Sequence, residues 1–354
     1  MTLVTKLSVQ NIRSHQEFTI SLSPDVTVIT GTNGSGKTSL LEALFIALQG
    51  TSFKGSDHDV LLHEADWWRI YLEFNTQDKR VITYNPTLQT GRKKIVIDDK
   101  TMYRLLPKYK YPVVLFEPDD LRLLHGSPTR RRQFIDGFIS QLDPLYQTAL
   151  HKYERALKQR NNLLKSGYIK DNELFAWDLT LSEHGAYIIE KRIAFIEQIN
   201  SKLNDAYNLI AKSKDIISVH YSQTYIGDIK QKILNDLHNH RERDKYLGFT
   251  SIGPHRHDVI FKFNDLPAME VASRGEVRSI VLALKFLEVD IIEQITDIKP
   301  IILLDDVFSE LDDERQKRLF TLKNQVIITS TKLPSDIKTK IKTINLNKLI
   351  NFQR

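Results

Sequence analysis

The amino-acid sequence predicts an α/β fold: a split, mixed sheet with helices, made from two separated stretches of chain with a short helical lobe inserted between them. Three observations predict it. Strand patterns crowd the first third of the 354 residues, polar amphipathic helices fill the middle, and the α/β pattern returns from Phe249. A glycine-rich loop near the start and an acidic strand near the end are elements of one kind of site, so the two outer stretches are expected to meet in space.

The first stretch, residues 1–127, carries strand patterns at 3–9, 18–22 and 26–30, and a helix at 39–48 with the sequence SLLEALFIAL. Further strands are expected at 68–74, 80–84 and 94–97, and a buried one at 112–116. In the middle stretch, 128–245, apolar residues fall at Tyr146, Leu150, Tyr153, Leu157, Leu163 and Leu164, and again at Ile189, Ile193, Ile196, Leu203, Tyr207 and Ile210. Three-and-four spacing of this kind marks amphipathic helices. Segments of roughly 20 to 30 residues would be about 30 to 45 Å long, an arm far short of an extended coiled coil. The last stretch, 246–354, opens with a turn at Gly253-Pro254; strands are expected at 259–263, 301–304 and 325–329, and helices at 275–295 and 313–322.

Composition narrows the class. With 41% hydrophobic residues the chain can bury a core, and with no cysteine it has no disulfide, thiolate zinc site or cysteine nucleophile. The absence of an apolar run of about 18 residues or of a leader-like start leads us to expect a cytoplasmic protein. The net charge of +6 is uneven: residues 78–110 and 128–170 each hold nine Lys/Arg against three Asp/Glu. Such blocks attract nucleic-acid phosphates or are simply solvated faces.

Four motifs carry chemistry. Gly31-Thr32-Asn33-Gly34-Ser35-Gly36-Lys37-Thr38 is a complete P-loop between a strand and a helix. Its backbone N–H groups can cradle phosphates, Lys37 can reach the β- and γ-phosphates, and the Thr38 hydroxyl can ligate Mg²⁺. After Pro300, four aliphatics end in Asp305-Asp306, a Walker B strand; Asp305 is assigned to Mg²⁺ and Asp306 to polarising the attacking water. Ser309-Glu310-Leu311-Asp312 resembles the D-loop of ABC-type ATPases. Ser273-Arg274-Gly275-Glu276 resembles their signature, in which Ser273 and Gly275 would meet the γ-phosphate held by a second subunit; taken alone, the run is also a good helix N-cap. The order P-loop, signature, Walker B and D-loop points to an ABC-type P-loop ATPase head binding ATP and Mg²⁺.

Beyond these motifs the chain resembles, over almost its whole length, the RecF family of bacterial recombination mediators, related to SMC-type ATPases. The resemblance rests on Asn11-Ile12-Arg13-Ser14-His15, Ser52-Phe53-Lys54, Phe116-Glu117-Pro118-Asp119-Asp120-Leu121, Gly126-Ser127-Pro128 and Arg130-Arg131-Arg132-Gln133-Phe134-Ile135-Asp136. It continues in Tyr153, Ala156-Leu157-Lys158-Gln159-Arg160-Asn161, Gly253-Pro254-His255-Arg256-His257-Asp258 and the block 304–312. It implies ATP-driven dimerisation on single-stranded, duplex or gapped DNA, weak DNA-stimulated hydrolysis, and work with RecO and RecR to load RecA in a nucleoid-associated setting. It also implies a nucleotide contact for Arg13. Arg130, Arg131 and Arg132 are the candidate DNA contacts. His257 stands where the family usually has Asp, Glu276 replaces a usual Gln, and Thr329 occupies the position of the transporter switch His or a plain exposed strand end. An ABC transporter subunit and an SMC-like clamp are the competing readings; the missing switch His and the inserted arm disfavour the first, and the short arm disfavours the second.

Overall fold

The computed structural model describes residues 2–166, 171–307, 311–312, 315–316, 323–331 and 341–347. In chain order the elements are β1 (Val4–Ile12), β2 (His15–Ser21), β3 (Val26–Thr30), α1 (Lys37–Gln49), β4 (Trp68–Phe74), β5 (Lys79–Tyr84), β6 (Lys93–Ile97), β7 (Lys100–Met102) and β8 (Val113–Phe116). Then come α2 (Pro128–Leu142), α3 (Pro144–Ser166), α4 (Asp171–Ala211), β9 (Ile217–Tyr221), α5 (Ile229–Asn239) and α6 (Arg241–Leu247). The rest are β10 (Val259–Phe263), β11 (Leu266–Pro267), α7 (Ala268–Val271), α8 (Arg274–Thr296), β12 (Ile301–Asp305), β13 (Val326–Ser330) and β14 (Ile341–Asn345). The helix expected at 313–322 lies outside the described residues apart from Arg315 and Gln316.

The chain forms two compact units, residues 1–120 with 289–354, and residues 121–288. The first division falls near the expected boundary at 127/128. The second lies well beyond the expected 245/246: β10, which pairs along its length with β9, and the chain from there to Glu288 fall in the second unit.

In the first unit, parallel and antiparallel pairing are segregated. One sheet is parallel, in the order β14-β3-β13-β12-β8; the other is antiparallel, in the order β2-β1-β4-β5-β6-β7. Sequence explains the division. All residues of the aliphatic-rich β3, β12 and β13 are buried, as strands covered on both faces require, whereas β4 and β5 alternate inward and outward. Helix α1 is apolar all round, with Leu40, Leu41, Ala43, Leu44, Ile46, Ala47 and Leu48 fully buried. Such a helix needs cover on every face, and it packs against β1, β4 and β5 of one sheet and β8, β12 and β13 of the other. Each buried Leu or Ile stabilises the unit by about 1.5–3 kcal/mol. No helix among the described residues is long and apolar enough to cross a membrane.

The second unit is helical as expected, with two differences. Helix α4 runs for 41 residues, about 60 Å, longer than the segments expected from periodicity. Within the region read as helical, β9 also forms a three-stranded sheet, β11-β10-β9. The free edge of β9 is covered by α4: the Asn200 amide donates to Val219 O at 2.7 Å and accepts from Val219 N at 2.8 Å, and Asn204 Oδ1 accepts from Ile217 N. Side-chain amides thereby replace a neighbouring strand.

Buried charges hold this unit together. Arg160 of α3 is fully buried and donates to Asp178 at 2.7 Å, to Asp244 at 2.7 Å and to Thr250 at 2.9 Å. Arg192 of α4 donates to both oxygens of Asp136 at 2.8 Å, to Tyr221 and to the carbonyl of Pro254. His257, which accepts from or donates to Tyr221 at 3.0 Å, is pushed down to about 4 by burial, with Arg192 and Arg132 acting the same way.

Arg160→Met should destabilise the second unit by about 3–5 kcal/mol, since buried Asp244 loses its cation and buried Asp178 is left with the longer pair to Arg241; urea unfolding would measure it. A histidine held neutral by the fold binds fewer protons than its unfolded form, so His257 contributes stability that is complete above its ordinary pKa of 6.5 and declines as pH falls towards 4. We expect His257→Gln to remove about 1 kcal/mol of the stability difference between pH 7 and pH 5. Thermal melts at the two pH values would show an unchanged difference if His257 were not the group involved.

Candidate nucleotide-binding site

The register of the parallel sheet assembles the site. Asp305 lies opposite Thr329, and Ser330 and Asn345 both lie opposite Thr30, so the carboxyl ends of β12, β13, β3 and β14 finish level. Gly31 begins the loop at that edge, where open α/β sheets bind ligands. A cavity of about 690 Å³ opens there, lined by P-loop residues, Arg13, Asp59, Leu61, His63 and Asp306.

The loop itself is closely supported. Lys37 is buried and donates to Gly31 O at 2.9 Å and Thr32 O at 3.1 Å. Gly34 and Gly36 have φ of 79° and 85°, and a Cβ on Gly36 would meet His15 Nε2 at 2.2 Å, so both its conformation and its neighbour require glycine. His15 bonds the Gly36 carbonyl at 3.0 Å, and burial lowers its pKa. Asn347 Oδ1 accepts from the backbone and hydroxyl of Thr32, each at 3.3 Å. The Ser35 hydroxyl is buried within the loop without a hydrogen-bond partner among the described residues.

The two Walker B acids are set in different ways. Asp305 is buried, and its Oδ1 accepts from the Thr38 hydroxyl at 2.8 Å and the Thr329 hydroxyl at 2.9 Å. Asp306 adopts φ 52°, a left-handed conformation rare for a residue with a side chain and common where function fixes geometry. It lines the cavity, and its N–H donates to Thr329 Oγ1 at 2.9 Å. Thr329 is therefore not an exposed strand end: it is fully buried and contacts both acids.

Arg13 stands on the wall, again at positive φ, with Nε and Nη2 donating to the two oxygens of Glu42 at 2.9 Å, which raises its pKa. Ser14, Asp59, Leu61, His63, His15 and Asn347 were not singled out by function in the sequence. Ser14, Asp59 and His63 lie in turns, His15 opens β2 and Asn347 follows β14, places that no periodicity marks; Leu61 reaches the site by bridging to Ile12.

Other predicted residues lie elsewhere. Ser273 and Gly275 are exposed at the N-terminus of α8 in the second unit. There Ser273 N donates to Glu276 Oε2 at 2.6 Å while Glu276 N points back to Ser273 Oγ at 3.4 Å, a capping box that accounts for Glu276. A Cβ on Gly275 would meet only Ser273 Oγ, at 4.0 Å. Asp312 is exposed and pairs with Arg315, while Ser309 lies outside the described residues. The arginine run is corrected: Arg131 is buried, with its guanidinium on both oxygens of Asp258 and on Gly126 O, so it cannot meet DNA. Arg132 donates to His257 O and Thr129 Oγ1, and Arg130 is half-buried.

A parallel sheet with a P-loop and two acids at its carboxyl edge, backed by an antiparallel sheet across one buried helix, defines an ABC-type P-loop ATPase head. The AAA domain family matches residues 6–346. The DNA replication and repair protein RecF of Lachnoclostridium phytofermentans is 32% identical over 98% of both chains, and that of Streptococcus agalactiae serotype V is 33% identical over 97% of this chain and 96% of its own. The chain belongs to the RecF family. The solved structure of the recombination mediator protein RecF with ATP, from the RecFOR pathway, superposes with a TM-score of 0.86 at 27% identity, covering 97% of this chain and 95% of that one. The Smc head domain of Pyrococcus furiosus shares the fold, with a TM-score of 0.51 at 18% identity over 94% and 90% of the two chains.

Thr329→Val keeps the shape but removes the hydroxyl that bonds the Asp305 carboxylate and the Asp306 N–H. Turnover of ATP should fall about tenfold, the equivalent of one hydrogen bond of about 1.4 kcal/mol, with nucleotide affinity within about threefold. Steady-state hydrolysis and equilibrium binding together would check this; a parental rate would remove Thr329 from the site.

Proposed function

We propose that the chain is an ATP-dependent DNA-binding protein of recombinational repair, in which nucleotide drives two copies together on DNA and slow hydrolysis releases them. The observation that carries this reading is that Lys37, Thr38 and Asp306 line one cavity, with Asp305 bonded to the Thr38 hydroxyl, while Ser273 and Gly275 stand exposed in the other unit. Glycine at position 275 has no steric reason within the described chain, which suits the close approach of a second subunit's nucleotide.

ATP is the ligand that the relatives support. Its phosphates would lie against the P-loop amides and Lys37, and the orphaned Ser35 hydroxyl fits such a polar occupant. Mg²⁺ fits the donor set as well. Among the described residues no cluster of three or more His, Asp or Glu side chains could hold a metal alone; a hydroxyl and a carboxylate 2.8 Å apart match an ion that takes its other ligands from phosphate and water. Thr38 and Asp305 would hold it, and when bound it supplies charge neutralisation for the transferring phosphoryl group. Asp306 would orient and polarise the attacking water from its fixed left-handed backbone.

The DNA contact is moved from the arginine run to exposed cations. In the first unit these are Lys79, Arg92, Lys94, Lys100, Arg104 and Lys108; in the second, Lys152, Arg155 and Lys158 share one side of α3. Phosphate contacts of this kind position DNA without reading its sequence, so binding should be salt-sensitive. Stimulation of a weak ATPase by gapped DNA, loading of RecA with RecO and RecR, and a nucleoid-associated cytoplasmic location complete the reading that the RecF relatives support.

Sedimentation with ATP, Mg²⁺ and gapped DNA tests it. The parental chain should dimerise transiently. Asp306→Asn should accumulate dimers with hydrolysis lowered by roughly a hundredfold or more, and Ser273→Arg should bind ATP yet stay monomeric. A parental chain that remains monomeric with ATP and DNA would sink the proposal.

A further inference from the structure

The run Ser52-Phe53-Lys54 belongs to the first unit and has no part in the reading above. Lys54 Nζ lies 3.5 Å from Asp305 Oδ2, the carboxylate oxygen that the Thr38 and Thr329 hydroxyls leave open. The Asp305 side chain is 6% exposed and the Lys54 side chain 38%. A carboxylate so deeply set requires compensation, and Lys54 supplies a full positive charge to it.

The position of the lysine is built, not incidental. Arg13 holds Glu42 with two bonds, the Ser52 hydroxyl donates to Glu42 Oε1 at 2.5 Å, and Lys54 N and Gly55 N donate to Ser52 Oγ at 2.9 and 3.1 Å. Phe53 packs edge-on against Phe45 of α1 at 5.3 Å. The loop is thus pinned at both flanks of Lys54, and the ammonium group reaches inward from a fixed stem.

We propose that Lys54 is a resident counter-cation of the metal carboxylate: it holds Asp305 while no divalent ion is bound, and competes with that ion for Oδ2. This rests on Asp305 being the metal ligand. An ammonium at 3.5 Å and a divalent ion at about 2.1 Å from the same oxygen would repel strongly, so binding of one expels the other. Lys54 can leave without stranding a buried partner, because its side chain already reaches solvent and Asp305 keeps both hydroxyls.

Mn²⁺, read by electron paramagnetic resonance on the full chain with a non-hydrolysable ATP analogue, is the probe. Lys54→Met and Lys54→Gln should each bind Mn²⁺ roughly two- to fivefold more tightly, the range that a partly exposed ion pair corresponds to; Lys54→Arg should stay near the parental affinity. A lysine that merely shaped the site would give the opposite sign, weaker binding on removal, and either that result or unchanged affinity in both neutral variants overturns the proposal. Asp305→Asn separates the two levels: if it binds Mn²⁺ as the parental chain does, the metal assignment itself fails, whereas loss of Mn²⁺ there with no gain in Lys54→Met rejects the lysine alone.

Discussion

One buried carboxylate organises the first unit. Asp305 sits at the end of a fully buried strand, where an unpaired charge would cost several kcal/mol, and its partners come from three separate places: Thr38 in the first turn of α1, Thr329 on β13, and Lys54 in the loop after α1. Satisfying it fixes where α1 begins relative to β12 and holds β12 and β13 in the register that puts Asp305 opposite Thr329. The same register turns Asp306 into the cavity with a left-handed backbone, and Thr329 secures that turn by accepting the Asp306 N–H. On the proposed reading stability and chemistry here share one set of hydrogen bonds, so a substitution that loosens the sheet edge also misplaces Asp306, the residue proposed to polarise the water.

The second unit solves the same problem with arginine. Asp136, Asp178, Asp244 and Asp258 are each paired with Arg160, Arg192 or Arg131: Arg192 and Arg131 grip Asp136 and Asp258 with two bonds each, and Arg160 divides its donors between Asp178 and Asp244. These pairs join α2, α3, α4 and the turn at Gly253-Pro254, segments far apart in sequence. The positive block at 128–170 is therefore partly internal, and its surface share is smaller than the sequence count implies. The block at 78–110 differs: Arg80 is buried against Ala47 O and Phe74, but six of its cations remain exposed. Formal charge in a segment measures attraction for phosphate only after buried pairs are subtracted.

What the sequence made legible follows from how local each cause is. The P-loop and Walker B strand are set by spacing and by aliphatic runs, and their elements fall within a residue or two of expectation, the usual uncertainty of helix and strand ends. The signature segment was readable as a cap, and it forms one. By contrast, β9 is five residues flanked by helices, and its edge is completed by Asn200 and Asn204 rather than by a strand signal of its own. Strand β14 is as short, and Asn347 beyond it meets Thr32 across the sheet edge, a contact no local pattern encodes. Arg131 was misread for the same reason: its partner Asp258 lies 127 residues away. Thr329 looked like a strand end because hydroxyl residues commonly close exposed strands, and only the parallel register reveals that its hydroxyl meets the Asp305 carboxylate and the Asp306 N–H.

The contrast between the two glycines of the nucleotide reading carries the argument one step further. Gly36 is required from within: its φ is positive, and a Cβ there would strike His15. Gly275 is required by nothing within the described chain, yet it sits in the first turn of a helix whose cap is already complete, where Ala would raise helix propensity by about 1 kcal/mol. A residue that forgoes this at an exposed helix N-terminus is accounted for if another surface must come close to the backbone amides there. On the proposed reading that surface is the phosphate edge held by a second copy, so the two glycines mark the two faces of one composite site: one shaped by the fold, the other by what the fold meets.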